Sequence, residues 1–176
     1  MTEIAPTVIV EEVFEGRITI VRINRAEVRN CVNTPTAIGL LEAFKKFDES
    51  KISEIAILCG DKTFCSGFDL AEAMEASSKS TEGWNTSQYG SGPMGPSRMT
   101  LSKPVIAAVE GHAVAGGLEL ACWCDMIVSH PEAVFGVFCR RFGVPLIDGG
   151  TVRLVKSIGL NRARDMILTG RAVSGK

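Results

Sequence analysis

The sequence predicts a layered α/β fold whose strands run largely parallel, and three observations indicate it. Short apolar segments of strand length alternate with segments of helical periodicity along the 176 residues. The segment 54–60 is almost continuously apolar, which is typical of a parallel strand covered on both faces. Glycines stand at two places where a predicted strand gives way to a predicted helix. The length suits one domain with its own core.

The first predicted elements are a hairpin and a helix. The segments 8–14 and 18–23 are rich in residues that favour strands, and a turn containing glycine would join them. Thr34 is predicted to cap the following helix, with Pro35 in its first turn. The apolar residues of this helix recur at helical spacing and predict its buried face: Ile38, Leu40, Leu41, Phe44 and Phe47.

The middle of the chain continues with the strand at 54–60, a loop at 61–70 and a short helix near 71–76. Residues 77–97 are rich in Ser, Gly and Pro and predict a long loop. A loop of this length either borders a functional site or is a tolerated surface insertion. A strand pattern resumes at once at 103–111, so this loop is not a linker between domains.

The last third of the chain returns to alternating elements. A buried helix at 118–124, a strand at 125–130 and an apolar segment at 133–138 lead to a predicted loop at 139–150. Two helices follow before the final residues, and each of them ends at a glycine.

These two helices cover 151–159 and 161–170. Ala172 and Val173 then have no later element against which to pack. We therefore expect the chain to be one part of a longer protein.

Composition narrows the classes of function. Hydrophobic residues make up 45% of the chain, charged residues 22%, and the net charge is −1. A near-neutral chain has no general attraction for nucleic acid or anionic membranes, and no apolar run is long enough to span a bilayer. The N-terminus is too acidic for a targeting peptide, which predicts an intracellular protein, cytoplasmic or organellar. The six cysteines show no paired CxxC spacing, so we expect reduced thiols and no metal site.

Two glycine loops share a design that suits oxyanion binding. Gly67 in one loop, and Gly116 and Gly117 in the other, each precede a predicted helix. The first amides of a helix have no partner within the helix, and the helix dipole adds partial positive charge there. Two such junctions side by side could direct two N–H groups at one oxygen, as in an oxyanion hole.

Glu119 lies in the first turn after the second glycine loop. A carboxylate at that position is commonly only a favourable partner of the helix dipole at the surface. Its neighbours Leu118 and Leu120 are apolar, however, so a buried carboxylate needs another reason. Beside a polarised carbonyl it could take or give a proton at the adjacent carbon.

The segments FCSGFDL and EGHAVAGGLELACWCD, with KPVIAAVEG before the second, resemble the crotonase superfamily, that is, the enoyl-CoA hydratase/isomerase family. The resemblance extends from Val8 to Gly170. It implies a crotonase-like spiral of ββα units, acyl-CoA thioester substrates, and neither a metal nor a separate cofactor beyond the coenzyme A of the substrate. It also implies that 1–176 is an incomplete catalytic core, and that the full-length protein forms a homotrimer or hexamer through C-terminal helices.

Site residues follow from the same resemblance. The oxyanion hole would be formed by the amides of Phe68 and Gly116, with Glu119 as an acid/base. The family's contacts with substrate and coenzyme A fall here on these residues: Arg25, Val28, Lys62, Ser66, Gly67, Asp69, Leu70 and Gly117.

One departure from the family bears on the reaction. Family hydratases use two glutamates, of which the first matches Glu119 and the second falls on Cys139. A thiol is mostly protonated near neutral pH, so it cannot replace a carboxylate as a base. Asp148 offers another carboxylate, similar in position to an aspartate of the family's dienoyl-CoA isomerases, and we expect it to share the acid/base work with Glu119. Its alternative role is to cap the helix that begins near Thr151.

Other residues have weaker claims. Ser66 with His112 superficially suggests a hydrolase, but nothing marks a third orienting group. Cys139 could be a nucleophile, although a packed thiol is the simpler interpretation. Several basic residues could meet the phosphates of coenzyme A or only solvate the surface: Arg25, Arg29, Lys62, Arg140 and Arg141. Trp84 and Tyr89 could border an acyl pocket or anchor the long loop.

The sequence thus predicts an acyl-CoA enzyme of the hydratase or double-bond isomerase type. The alternative is a protein with the same fold that binds coenzyme A, RNA or a partner chain without catalysis. The retained Glu119 and both glycine loops favour the enzyme, whereas Cys139 favours the binding protein.

Overall fold

The computed structural model describes residues 5–78 and 91–176 and confirms the predicted α/β class. Its larger sheet has five strands in the order β1-β2-β3-β4-β6. The strands are β1 Val8–Val13, β2 Ile18–Ile23, β3 Ile55–Gly60, β4 Val105–Val109 and β6 Met126–Ser129. The first pair is the predicted antiparallel hairpin, and every later pair in this sheet is parallel.

Helix α1, Thr34–Glu49, covers one face of this sheet. Its N-cap is Asn33, whose side chain accepts a hydrogen bond from the Thr36 amide at 3.1 Å. The prediction of Thr34 as the cap was wrong, because the Asn33 side chain reaches back to the first turn and Thr34 is already helical. The predicted buried face is largely confirmed, but Ile38 is 50% exposed, since it lies about 200° around the helix from Leu40.

Helix α2, Leu70–Ser78, extends the predicted short helix at both ends. Most of the long loop predicted at 77–97, including Trp84 and Tyr89, lies outside the described residues. Its described end, from Ser91 onward, enters a short 3₁₀ helix, Pro96–Arg98. Met94 in this segment is fully buried, so the segment packs into the core.

A second, smaller sheet holds the order β5-β7-β8. It consists of β5 His112–Val114, β7 Val134–Gly136 and β8 Val173–Ser174. The expectation that Val173 has nothing to pack against was wrong, because Val173 pairs with Phe135 in antiparallel register. The partner strand lies almost forty residues earlier in the chain, so local sequence does not reveal the pairing.

Four helices complete the fold around this small sheet. They are α3 Gly116–Trp123, α4 Cys139–Phe142, α5 Gly150–Ile158 and α6 Leu160–Thr169. The loop predicted at 139–150 therefore begins with one helical turn, which is too short to show a helical period. Gly159 and Gly170 end the last two helices as predicted.

Helix α3 is enclosed by two hydrophobic clusters. Leu120 and Ala121 belong to the main core, in which Phe44 meets Trp123 edge to face with ring centroids 4.9 Å apart. Leu118 faces the second cluster, formed with α5, α6 and Val137. Glu119 is therefore carried on a helix that is buried on both sides. None of the described helices is long and apolar enough to cross a membrane.

Candidate active site

The two glycine loops lie side by side, as the sequence predicts. Cys65 forms an isolated parallel bridge with Ala113 in β5. The Cys65 amide donates to the carbonyl of His112 at 2.9 Å, and the Val114 amide donates to the carbonyl of Cys65 at 3.1 Å. These bonds fix the loop that carries Gly67 against the strand that leads into α3.

Glycine is required where the loops touch. Gly67 has φ +107°, and a methyl group there would lie 3.0 Å from the amide nitrogen of Gly116. A methyl group at Gly117 would collide with the carbonyl oxygen of Cys65. The close approach thus depends on glycine at position 67 of one loop and at position 117 of the other.

Ala115 joins β5 to α3 in a strained conformation. Its φ of 53° and ψ of −126° are unusual for a residue that carries a Cβ. Strain of this kind persists only where surrounding contacts enforce it, and it is common at functional sites. The turn presents the first amides of α3, those of Gly116 and Gly117, which have no acceptor within the helix.

A cavity of about 620 Å³ opens in front of the two loops. It brings together most of the predicted site residues: Val28, Ser66, Phe68, Asp69, Leu70, Gly116, Glu119 and Asp148. Cys139 and the exposed His112 also line it. The prediction missed an apolar wall contributed by the region after β7: Phe138, Phe142, Val144, Pro145 and Ile147. Nothing in the local sequence marks these residues, because they meet the cavity only through the tertiary fold.

Glu119 is held at the beginning of α5. It is 2% exposed, and its Oε1 accepts the amides of Asp148 at 2.9 Å and Gly150 at 2.7 Å. Burial, with a smaller contribution from the nearby charge of Asp148, raises the pKa of Glu119 to about 7, although the amide hydrogen bonds oppose the rise. Glu119 can therefore both hold and release a proton close to neutral pH.

Asp148 adjoins Glu119, but its side chain has partners of its own. The residue is 1% exposed, and its Oδ1 accepts the Met94 amide at 3.1 Å and the hydroxyl of Ser97. Burial raises the pKa of Asp148, and these two hydrogen bonds oppose the rise. The N-cap of α5 is Gly149, without a side-chain capping bond, so the alternative of Asp148 as the cap was wrong.

Cys139 is a buried neighbour of the cavity. Burial, followed by the charge of Glu119, raises the pKa of its thiol to about 11. The group is therefore a neutral thiol under physiological conditions, which does not suit a nucleophile.

Of the residues predicted to contact substrate and coenzyme A, half line the cavity and half do not. Arg25 donates to the carbonyl of Cys31 at 2.6 Å and pairs with Asp69 at 3.2 Å, so it joins two loops that contribute Cys31 and Asp69 to the cavity lining. Lys62 is exposed. The residues that do not line the cavity are Arg25, Lys62, Gly67 and Gly117. Among the arginines, Arg29 and Arg141 line the cavity, and Arg141 lies over the ring of Phe138 at 3.6 Å.

In the ranges 5–78 and 91–176, no group of three His, Cys, Asp or Glu side chains is arranged to hold a metal ion.

Comparison with known proteins gives consistent similarities. The family described as enoyl-CoA hydratase/isomerase matches residues 14–176. Mevalonyl-coenzyme A hydratase of Aspergillus fumigatus is 32% identical over 158 residues, which cover 89% of this chain and 57% of that protein. An enoyl-CoA hydratase of Mycobacterium tuberculosis is 33% identical over 180 residues, covering 98% of this chain and 64% of that protein.

The fold is similar as well. The crystal structure of an enoyl-CoA hydratase from Mycobacterium marinum superposes with a TM-score of 0.86 at 35% identity, covering 97% of this chain and 64% of the other. This chain thus spans 57% to 64% of the length of these three proteins. The match to nearly the whole chain, in sequence and in fold, shows that it has the crotonase fold and belongs to the enoyl-CoA hydratase/isomerase family.

Proposed function

We propose that this chain acts on an acyl-CoA thioester and moves a proton at a carbon conjugated with the thioester carbonyl. One observation carries the proposal: Glu119 is 2% exposed and lines the same cavity as Phe68 and Gly116. A carboxyl with a pKa of about 7 at such a place is suited to act as base and then as acid.

The carbonyl oxygen of the thioester would accept hydrogen bonds at the two glycine loops, from the amides of Gly116 and Phe68. These donors are strongest when the oxygen becomes an enolate oxygen, so they stabilise the transition state more than the substrate. One oxyanion donor is worth about 10²–10³ in rate, and a positioned acid/base about 10²–10⁴.

The substrate class rests on family membership and on the relatives. Each relative described above is named as a hydratase of a coenzyme A ester or of enoyl-CoA. The neutral thiol of Cys139 favours a reaction that needs one carboxylate, such as a double-bond shift, over water addition by two. Assembly into trimers or hexamers, which the resemblance implies, remains a prediction.

The test measures turnover and binding separately. Wild type, Glu119→Gln and the surface control Glu110→Gln are assayed with but-2-enoyl-CoA, but-3-enoyl-CoA and hexa-2,4-dienoyl-CoA. Binding of the unreactive butanoyl-CoA is measured by calorimetry. We expect turnover by wild type and Glu110→Gln, a loss of about 10²-fold or more in Glu119→Gln, and similar affinity for butanoyl-CoA in all three.

Two results would contradict the proposal. Binding of butanoyl-CoA without turnover of any thioester would favour the non-catalytic alternative. Undiminished turnover by Glu119→Gln would remove Glu119 from the mechanism.

A further inference from the structure

Asp148 faces two different partners with its main chain and its side chain. Its amide donates to Oε1 of Glu119 at 2.9 Å. Its carboxylate oxygen Oδ1 accepts both the Met94 amide, at 3.1 Å, and the Ser97 hydroxyl. Met94 and Ser97 both belong to residues 91–98, the anchor segment.

We propose that Asp148 is a positioning residue, which ties the anchor segment to the active site and orients Glu119, so that Glu119 alone transfers the proton. This inference rests on the proposed function and replaces the expectation that the two carboxylates share the acid/base work.

The anchor segment is built closely around the Asp148 carboxylate. Gly92 has φ +107°, and a methyl group there would collide with the Ser97 hydroxyl and lie 3.1 Å from Asp148 Oδ1. Ser97 itself is fully buried. The segment therefore wraps the carboxylate, and Oδ1 already has two donors before any substrate arrives.

The same segment supports the proposed oxyanion hole. Met94 is fully buried, and a methyl group on Gly116 would lie 2.9 Å from its sulfur. The tie from Asp148 to the Met94 amide therefore holds this side chain behind Gly116. Loss of the tie would loosen the support of the glycine whose amide is proposed to bind the thioester oxygen.

The main chain of Asp148 is fixed from a further side. The guanidinium of Arg153, one turn into α5, donates to the carbonyl of Asp148 at 2.7 Å. This contact holds the backbone amide of Asp148 in place to donate to Glu119. Asp148 thus connects α3, α5 and the anchor segment through separate groups.

The charges around the pair favour different states for the two carboxyls. Burial raises the pKa of Asp148, whereas its hydrogen bonds with Ser97 and Met94 and the charges of Arg98 and Arg153 oppose the rise and favour the ionised form. The titratable groups that interact with Glu119 include Asp148 and the neutral thiols of Cys122 and Cys139. In its ionised form Asp148 raises the pKa of Glu119 without exchanging a proton itself.

The experiment compares Asp148→Asn, Asp148→Ala, Ser97→Ala and Glu119→Gln. Asparagine keeps an oxygen that can accept from Met94 and Ser97 but removes the charge, whereas alanine removes both. The first readout is the titration of the ¹³C-labelled side-chain carboxyl of Glu119 by NMR, which needs no substrate. The second is kcat and KM with whichever enoyl-CoA the wild type turns over.

We expect Asp148→Asn to keep kcat within about 10-fold of wild type and to shift the titration of Glu119 to lower pH, because the neighbouring charge is gone. Ser97→Ala is expected to lower kcat several-fold without moving KM. In Asp148→Ala, kcat is expected to fall about 10²-fold, which is the effect expected when a catalytic group is displaced.

Three results would overturn the inference. One is a loss of kcat in Asp148→Asn as large as in Glu119→Gln. Another is an unchanged Glu119 titration in Asp148→Asn. A third is full kcat in both Ser97→Ala and Asp148→Ala. If no thioester is turned over at all, the proposed function fails, and the NMR titration still decides whether Asp148 tunes Glu119.

Discussion

The backbone amide of Gly150 donates to Oε1 of Glu119 at 2.7 Å, and no side chain fits between the two residues. A methyl group on Gly150 would lie 2.7 Å from Cγ and 2.9 Å from Oε1 of Glu119. The first residue of α5 therefore supplies both a donor for the carboxylate and the space that the carboxylate occupies.

Gly150→Ala is expected to displace the Glu119 carboxylate and lower kcat by about 10²-fold, since a shift of about 1 Å in a catalytic group has an effect of that size. Overpacking should also lower the free energy of unfolding by about 1–3 kcal/mol. The neighbouring Thr151→Ala, at an exposed position, is the control. Steady-state kinetics measures kcat, and unfolding followed by circular dichroism measures the free energy of unfolding. A wild-type kcat in Gly150→Ala would show that the contact between Gly150 and Glu119 does not position the carboxylate.

Glu119→Gln is expected to stabilise the protein in a pH-dependent way. The pKa of Glu119 lies near 7 in the fold, above the ordinary 4.5, so the folded state binds this proton more tightly than the unfolded state. The free energy of unfolding of the wild type should therefore fall as pH rises from about 4.5 to about 7.

Glutamine cannot ionise, so the free energy of unfolding of Glu119→Gln should not fall in this pH range. It should exceed that of the wild type by at most about 3 kcal/mol at pH 8 and differ little from it at pH 4. Urea unfolding of wild type and Glu119→Gln at pH 4, 6 and 8 measures it, with Glu110→Gln as the exposed control. An equal effect at all three pH values would show that the change has another cause.

Cys139→Glu is expected to raise hydration of but-2-enoyl-CoA by about 10-fold or more, because it places a second carboxylate beside the cavity. The like charge should also raise the pKa of Glu119. Cys139→Gln is the matched control, since it has the same size and no charge. Equal hydration rates in the two variants would show that a second carboxylate at this position does not assist water addition.

Asn30→Ala is expected to destabilise the protein by about 2–4 kcal/mol. The buried Asn30 accepts the Arg25 amide at 2.8 Å and donates to the carbonyl of Thr63 at 2.6 Å, thereby joining the loops before α1 and α2. Alanine leaves both partners unsatisfied. Asn161→Ala, at an exposed position of α6, should change the unfolding midpoint little, and a similar result for Asn30→Ala would exclude the joining role.

The sequence predicted the main sheet and every α-helix named above except α4, because their patterns are local. The hairpin, the apolar strand that became β3 and the glycine ends of α5 and α6 are each visible within a few residues. The small sheet was missed because β8 has only two residues and pairs with a distant strand. The burial of Glu119 was anticipated from its apolar neighbours, which occupy both sides of α3.

The site was predictable where glycine and carboxylate lie close together in sequence, and less so where distant segments meet. The hydrogen bond between Ser97 and Asp148 joins residues 51 positions apart, and neither residue type by itself indicates it. The substrate contact of Arg25 was assigned by resemblance and stays a prediction, whereas its ion pair with Asp69 joins residues 44 positions apart and is not visible in the local sequence.

The contact between Gly67 and Ala115 sets a rule for how this sequence can change. A methyl group at Gly67 would lie 3.1 Å from the Cβ of Ala115 and 3.0 Å from the amide nitrogen of Gly116, so it would press on two atoms of the opposite loop. Ala115 has a backbone conformation that glycine would adopt with less strain. Glycine at position 115 would relieve only one of these two contacts, so position 67 would still require glycine. A larger residue at either position would need the loops to separate, which would widen the proposed oxyanion hole.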